Sequence, residues 1–279
     1  MDLEERNPNV YGGGNVMNSV RHYLSIYKKF LATSFSVQLS FRTSFVLLIV
    51  MDIFFYVSTL ATVDFVYDHV STIGPWQKEK LMFFISFMLC VDHLHMTLLS
   101  ESFWVLARQI RTGELDFILL KPVHSIFSIF FRYIRPSSMT NTVVAWGFLF
   151  YYGSKVPLST LSWVLLPLFL ILSFMLLAIV EIIISTAMFW MTEGLGINFL
   201  RMQIQSLARW PDFVYKVLAR RLFTVLMPIL LIGSAPVRFL LDLKSWDYVA
   251  GMVAAIFVFG FLMFKIWSHA LIRYESASS

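Results

Sequence analysis

Between residues 43 and 271 apolar side chains run in blocks long enough to fill a lipid bilayer, separated by short polar stretches. A helix needs about 20 apolar residues to cross the hydrocarbon. Six stretches reach that length, at roughly 43–63, 80–102, 130–152, 160–190, 219–240 and 247–271. The third and fifth are the weakest, because Arg132 and Arg135 crowd the start of one while Pro228 and Pro236 interrupt the other. Proline inside a span is tolerated where neighbouring helices or a cavity re-satisfy the freed carbonyls. Ahead of the first block, Val20, Tyr23, Leu24, Tyr27, Phe30 and Leu31 recur every three or four positions, with Arg21, His22, Ser25, Lys28 and Lys29 on the other side. That pattern predicts an amphipathic helix over 17–40 with a basic polar face, suited to the membrane surface. The alternative is a helix packed on a soluble partner. The preceding "YGGGN" reads as a flexible lead-in, and residues 1–279 read as a single domain without internal repeats.

Composition changes the picture only by removing alternatives. The chain is 58% hydrophobic and 14% charged, against roughly 25% charged in a soluble domain. One core cannot hide that apolar excess, so the fold class expected is an all-α integral membrane protein. The single cysteine, Cys90, lies in an apolar run and allows no disulfide framework. The polar, acidic start "MDLEERNPNVYGGGN" lacks the basic head and short apolar core of a secretory signal. The net charge of +5 needs no nucleic-acid partner, since basic residues of membrane proteins gather at the cytoplasmic rim. With six spans, 17 Lys and Arg fall on the side of the termini and of the 103–129 and 191–218 segments, against 5 on the other. That count predicts that both termini are cytoplasmic.

Ionisable residues within spans are expensive and mark candidate sites. Here they are Asp52, then Asp92, His93 and His95 in "CVDHLH", and Glu181. On a helix, residues two apart diverge by about 200°, so His93 and His95 do not readily share a metal ion. Asp92 and His95 share a face, which favours an ion pair or hydrogen bond. Asp52, Asp92, His95 and Glu181 are read as interhelical polar contacts, or else as lining a substrate or proton path. No phosphate loop, zinc-protease helix, nucleophile elbow or zinc-binding Cys–His spacing is visible. The expectation is a non-enzymatic chain without a cofactor or metal of its own.

One polar interruption stands apart: "IRTGELDFILLKP" at 110–122. "SESFWVLARQIR" continues the second span as a helix carrying Arg108 and Arg111, and Gly113 suits the residue that ends it. Glu114 and Asp116 then fall in the first turn of a new helix, where carboxylates complement the dipole. Leu115, Ile118 and Leu119 form an apolar stripe, Lys121 supplies a basic end, and Pro122 stops the turn. From physics alone this is either a force-transmitting helix or an interfacial anchor.

The segment resembles the coupling-helix motif of type-2 ABC transporter permeases, of the form R-x-x-G-x-L-[DE]-x-L-L-x-x-P. Gly113, Leu115, Asp116, Leu119, Leu120 and Pro122 correspond, while Arg111 sits nearer the glycine than the basic residue of the family often does. The G-E-L-D form with K-P resembles the viologen-exporter-like subfamily. The likeness extends through "SIYKKFLATSFSVQLSFRTSF" at 25–45, "FW" at Phe189–Trp190, "WP" at Trp210–Pro211, Pro228 and Pro236, with Trp210 where the subfamily more often has tyrosine.

The resemblance implies a six-span permease subunit of an exporter for a hydrophobic or amphipathic molecule, in the plasma membrane (a bacterial inner membrane). It implies ATP and Mg on separate ATP-binding subunits and a second permease copy or paralogue, with lipid around both. Arg108, Arg111, Gly113, Glu114, Asp116, Lys121 and Pro122 would then serve ATPase coupling, with Leu115, Ile118 and Leu119 filling the groove of the ATPase. The rival readings are an ion-coupled secondary transporter using Asp52, Asp92, His95 and Glu181, and a membrane scaffold or intramembrane enzyme.

Overall fold

The computed structural model describes residues 16–191 and 194–274. The "YGGGN" lead-in and the acidic start lie outside the described residues. In chain order the helices are α1 (Val16–Ser40), α2 (Arg42–Tyr67), α3 (Lys78–Leu98), α4 (Ser100–Thr112), α5 (Glu114–Leu119), α6 (Ser125–Phe130), α7 (Pro136–Thr140), α8 (Thr142–Gly153), α9 (Thr160–Thr186), α10 (Gly194–Ala208), α11 (Val217–Arg221), α12 (Leu231–Leu241) and α13 (Trp246–Arg273). Among the described residues there is no strand. The protein is an all-α membrane protein. Four helices are long and apolar enough to span a bilayer: α2, α3, α9 extended to Phe189, and α13. Helix α3 is enclosed by the others, whereas α2 and α13 leave most of their apolar surface outward. An unfilled apolar surface of that kind is what lipid covers.

Two expected helices differ. The continuous helix anticipated over 130–152 is instead α7 and α8, preceded by a non-helical stretch at 131–135. Pro136 sits in the first turn of α7, where its missing N–H costs nothing. The unwound backbone is satisfied by its neighbours. Ile134 N–H donates to Ser34 Oγ at 3.3 Å, Arg135 N–H to Thr97 O at 2.9 Å and Ser137 N–H to Gln38 Oε1 at 2.9 Å. Irregular backbone at membrane depth survives only when protein supplies such partners. The anticipated surface helix α1 is one supplier, since Tyr23 and Phe30 also pack on Phe127 while Val20 and Leu24 stay exposed.

The helix anticipated over 219–240 is also corrected. Residues Val217–Leu226 and Leu231–Leu241 meet at 98°, and both arms return to one end of the bundle. Arg220 and Arg238 bind the same carboxylate, Asp212, and both reach Tyr248 at the start of α13. Hydropathy adds the two arms of this hairpin into one apparent span. What joins the two ends here is α10 together with the turn after it, in the stretch expected to be a loop. Its first residue, Gly194, abuts Ala107, where an added Cβ would come within 2.5 Å. Asn198 Nδ2 donates to Phe103 O. Five residues past the end of α10, Phe213 packs edge-on to Trp76 at 4.9 Å, at the opposite end of α3. Fifteen helical residues cover about 22 Å, and the following turn completes the distance.

The hairpin is held by side chains of α9. Pro236 cannot donate to the carbonyl four residues earlier, that of Ile232, and Ser173 Oγ donates to it instead at 2.7 Å. Ser162 Oγ likewise donates to Leu240 O at 2.8 Å, in the unpaired last turn of α12. Ser173→Ala should therefore cost about 1–3 kcal/mol, the desolvation penalty of an orphaned buried carbonyl, read as a lower midpoint in a thermal melt of the solubilised protein. Pro236→Ala restores an N–H donor, so adding it to Ser173→Ala should recover much of the loss. An equal penalty with and without Pro236 would refute this account of the hairpin.

Candidate functional site

Helix α4 ends at Gly113, whose φ of 71° places it in the left-handed region. There is room for a Cβ, the nearest atom being Asp116 Oδ2 at 3.8 Å. The constraint is conformational, as a side chain at this φ costs about 1–2 kcal/mol. The turn throws α5 off the axis of α4, with Glu114 and Asp116 in its first turn.

Burial sorts the side chains of α5 differently from the apolar stripe read in the sequence. Leu115 and Ile118 are buried at 0% and 4% exposure and Leu119 packs partly against the same core, so these three hold α5 to its own chain. Leu115 and Ile118 thus face the chain's own core, which corrects the expectation that they fill an ATPase groove, while Leu119 stays half-buried. The outward apolar residues are Phe117 at 73% exposure and Leu120 at 71%. Arg111, Glu114, Lys121 and Pro122 are exposed beside them. The Arg108–Glu114 pair is long, at 3.7 Å, and solvent-exposed, so it contributes little. Asp116 is half-buried beside Tyr274, where burial and then the carboxylate push the phenol up to about 12. The tail of α13 thus rests on α5. Trp267 Nε1 donates to Ser125 Oγ at 2.9 Å and Gln109 Nε2 to Tyr133 Oη at 3.1 Å, tying the same platform together.

The four intramembrane acids and histidines fall into two buried networks. Asp52 accepts from Arg135 Nη2 at 3.1 Å and from Ser138 Oγ at 2.7 Å, so α2 grips the unwound 131–135 segment. Asp92 accepts from Gln205 Nε2 at 2.9 Å and Arg209 Nε at 2.7 Å. Gln205 also lies 3.3 Å from His95 Nδ1, so Asp92 and His95 meet through Gln205. His95 Nε2 lies 2.6 Å from Glu181 Oε2, a close contact off the hydrogen-bond direction. Glu181 Oε1 accepts from Arg201 Nη1 at 3.0 Å, and Arg201 stacks on Phe103 at 4.3 Å. Two carboxylates, Asp92 and Glu181, thus meet two guanidiniums, Arg209 and Arg201, around His95. His93 turns elsewhere, to Tyr56 Oη at 3.2 Å and Thr142 Oγ1 at 3.0 Å, as residues two apart on a helix must.

Asp52, Asp92, His95 and Glu181 are all at most 4% exposed. A proton carrier must meet water during its cycle, and in this conformation each of these groups is enclosed by protein partners. Their geometry is that of interhelical joints, three of them joining α10 to α3 and α9. Sequence reasoning missed Arg201, Gln205 and Arg209. Their spacing with Asn198, at intervals of three and four, is the readable signal of a polar helix face seeking buried acids.

Residues 46–278 match the family model described as "ABC-2 family transporter protein". No curated protein and no solved structure matches the chain.

Proposed function

The chain belongs to the ABC-2 transporter family, and from that premise we propose that it is the permease subunit of an ATP-driven exporter, driven through α5. The observation that carries this reading is the pair Phe117 and Leu120. They are large apolar side chains left outward on a helix whose other face is fixed to the chain's own core. Charged groups of both signs, Arg111, Glu114 and Lys121, surround them. An apolar centre with a polar rim is the anatomy of a protein interface. ATP-binding subunits would dock there and supply hydrolysis, with ATP and Mg on their side. A push on α5 passes into α3 through α4 and into α13 through Tyr274. A second permease copy or paralogue completes the pathway, and the cargo is a hydrophobic or amphipathic molecule.

Treating α10 as the fifth crossing keeps both termini on one side, because the 215–241 hairpin enters and leaves at one end. It also moves Lys216, Arg220 and Arg221 across and leaves Arg201 and Arg209 uncounted within the bundle. The basic excess narrows from 17 against 5 to 12 against 8, still favouring cytoplasmic termini.

The only cysteine, Cys90, is buried, so an introduced thiol can be labelled selectively. A photo-crosslinker on Glu114→Cys should capture an ATP-binding subunit co-expressed with the permease. The same label on Lys155→Cys, at the far end of α8, should not. Capture from both positions or from neither would count against docking at α5.

A further inference from the structure

A cavity of about 460 Å³ lies between α1 and the 101–134 segment. Its cations come from three elements: Lys29 from α1, Lys121 from the turn after α5, and Arg132 from the unwound stretch before α7. Glu101 is the one acid on its wall, which leaves an excess of two positive charges. Among the described residues none of the three cations has a carboxylate partner. The contact Arg132 does make is with the ring of Tyr133, at 5.4 Å. The Lys121 ammonium is pushed below its ordinary range by burial and by Arg132 nearby, as expected of cations facing each other without a counter-ion. The remaining wall is largely apolar, including Phe30, Val37 and Ile134.

These features together select one kind of ligand. Three convergent cations ask for an anion with several acceptor oxygens, and phosphate is the group that lysine and arginine bind in common. A free phosphate would leave the apolar wall unused. An amphiphile uses both, and Val37 and Phe41, four residues apart, continue the apolar surface outward past the end of α1. Basic pockets at a membrane surface recognise phospholipid headgroups on this principle. We propose that the cavity holds the headgroup of an anionic phospholipid, with Lys29, Lys121 and Arg132 around its phosphate and an acyl chain against Phe30 and Val37.

The position gives the lipid a consequence. A second cavity, of about 260 Å³, shares Lys121, Arg132 and Tyr133 with the first and reaches Glu114 and Phe117. The lipid therefore sits against the root of α5 and bridges α1 to it. Binding does not depend on the ATPase-docking reading and is measured on the permease alone, so failure of either leaves the other standing.

The test uses the full chain, purified and delipidated, with titrated short-chain phosphatidylglycerol or phosphatidylcholine followed by thermal shift and native mass spectrometry. Phosphatidylglycerol should stabilise the protein and remain bound. Lys29→Gln with Arg132→Gln should weaken its apparent affinity on the order of 30-fold, about fivefold per cation. The charge-matched pair Lys28→Gln with Lys216→Gln, both outside the cavity, should change it by no more than about twofold. Inorganic phosphate at millimolar concentration should neither stabilise the protein nor displace the lipid.

Equal weakening by both pairs would mean diffuse surface attraction and overturn the site. Displacement by phosphate alone would overturn the lipid in favour of a soluble anion. Should Arg132→Gln fail to fold, Lys29→Gln alone, at an exposed position, carries the test with a loss of about fivefold expected.

Discussion

Glu181→Ala is expected to be among the most damaging single substitutions in the chain, lowering stability by about 3–5 kcal/mol, the cost of stranding one member of a buried ion pair. Arg201 is fully buried, and its only carboxylate among the described residues is Glu181. Removing that carboxylate leaves a guanidinium against Phe103 and the amide oxygen of Asn198, with no compensating charge. His95 loses a neighbour too, the carboxylate 2.6 Å from its Nε2. The measurement is the fraction of solubilised protein that stays monodisperse after heating, followed by fluorescence-detected size exclusion.

The companion variant decides the cause. Arg201→Met keeps an unbranched side chain as far as the Nε position and removes the charge. Combined with Glu181→Ala it should recover a large part of the loss, since a buried pair replaced on both sides is often close to neutral. A double variant no better than Glu181→Ala alone would show that packing, not stranded charge, sets the cost. Wild-type stability in Glu181→Ala would contradict the pairing itself.

This network also shows where sequence reasoning stopped. The helices α2, α3, α9 and α13 are readable because each is a continuous apolar run long enough to span. Helix α10 is not, because Asn198, Arg201 and Gln205 lower its hydropathy. Arg201 and Gln205 are polar because Asp92, His95 and Glu181 wait for them on other helices, and Asn198 because it meets the carbonyl of Phe103. The acids were legible as buried polar groups needing partners. The partners were legible as a polar stripe three and four apart. A scale that scores each segment alone cannot match the two.

The 219–240 hairpin fails in the opposite sense. Its arms are apolar enough to pass for one span, and only the shared contacts of Arg220 and Arg238 with Asp212 reveal the fold-back. Gly113 was readable as a cap because few other residues accept its φ.

Helix α5 offers a subtler lesson. Four of its six residues, Leu115, Phe117, Ile118 and Leu119, and its C-cap Leu120 are apolar, on nearly every side. Periodicity then identifies a helix but not which face is home. The structure assigns Leu115 and Ile118 inward and Phe117 and Leu120 outward, and the two sets have separable consequences. Phe117→Ala with Leu120→Ala should leave the melting midpoint of the permease near wild type, because neither side chain supports its core. The same pair should weaken capture of the ATP-binding subunits by roughly a thousandfold, taking about 2 kcal/mol for each of two hot-spot residues. Permease-dependent ATPase stimulation in reconstituted vesicles should disappear with it.

Leu115→Ala should do the reverse. Truncating a fully buried leucine costs about 2–5 kcal/mol of permease stability, while any permease that survives should still bind the ATPase at its intact outer face. A double variant at 117 and 120 that stimulates hydrolysis normally would remove α5 as the docking element. A folded Leu115→Ala that cannot bind would return the interface to the inner stripe. Because the two faces of one short helix give opposite pairs of results, stability and coupling can be assigned to different side chains only a residue or two apart.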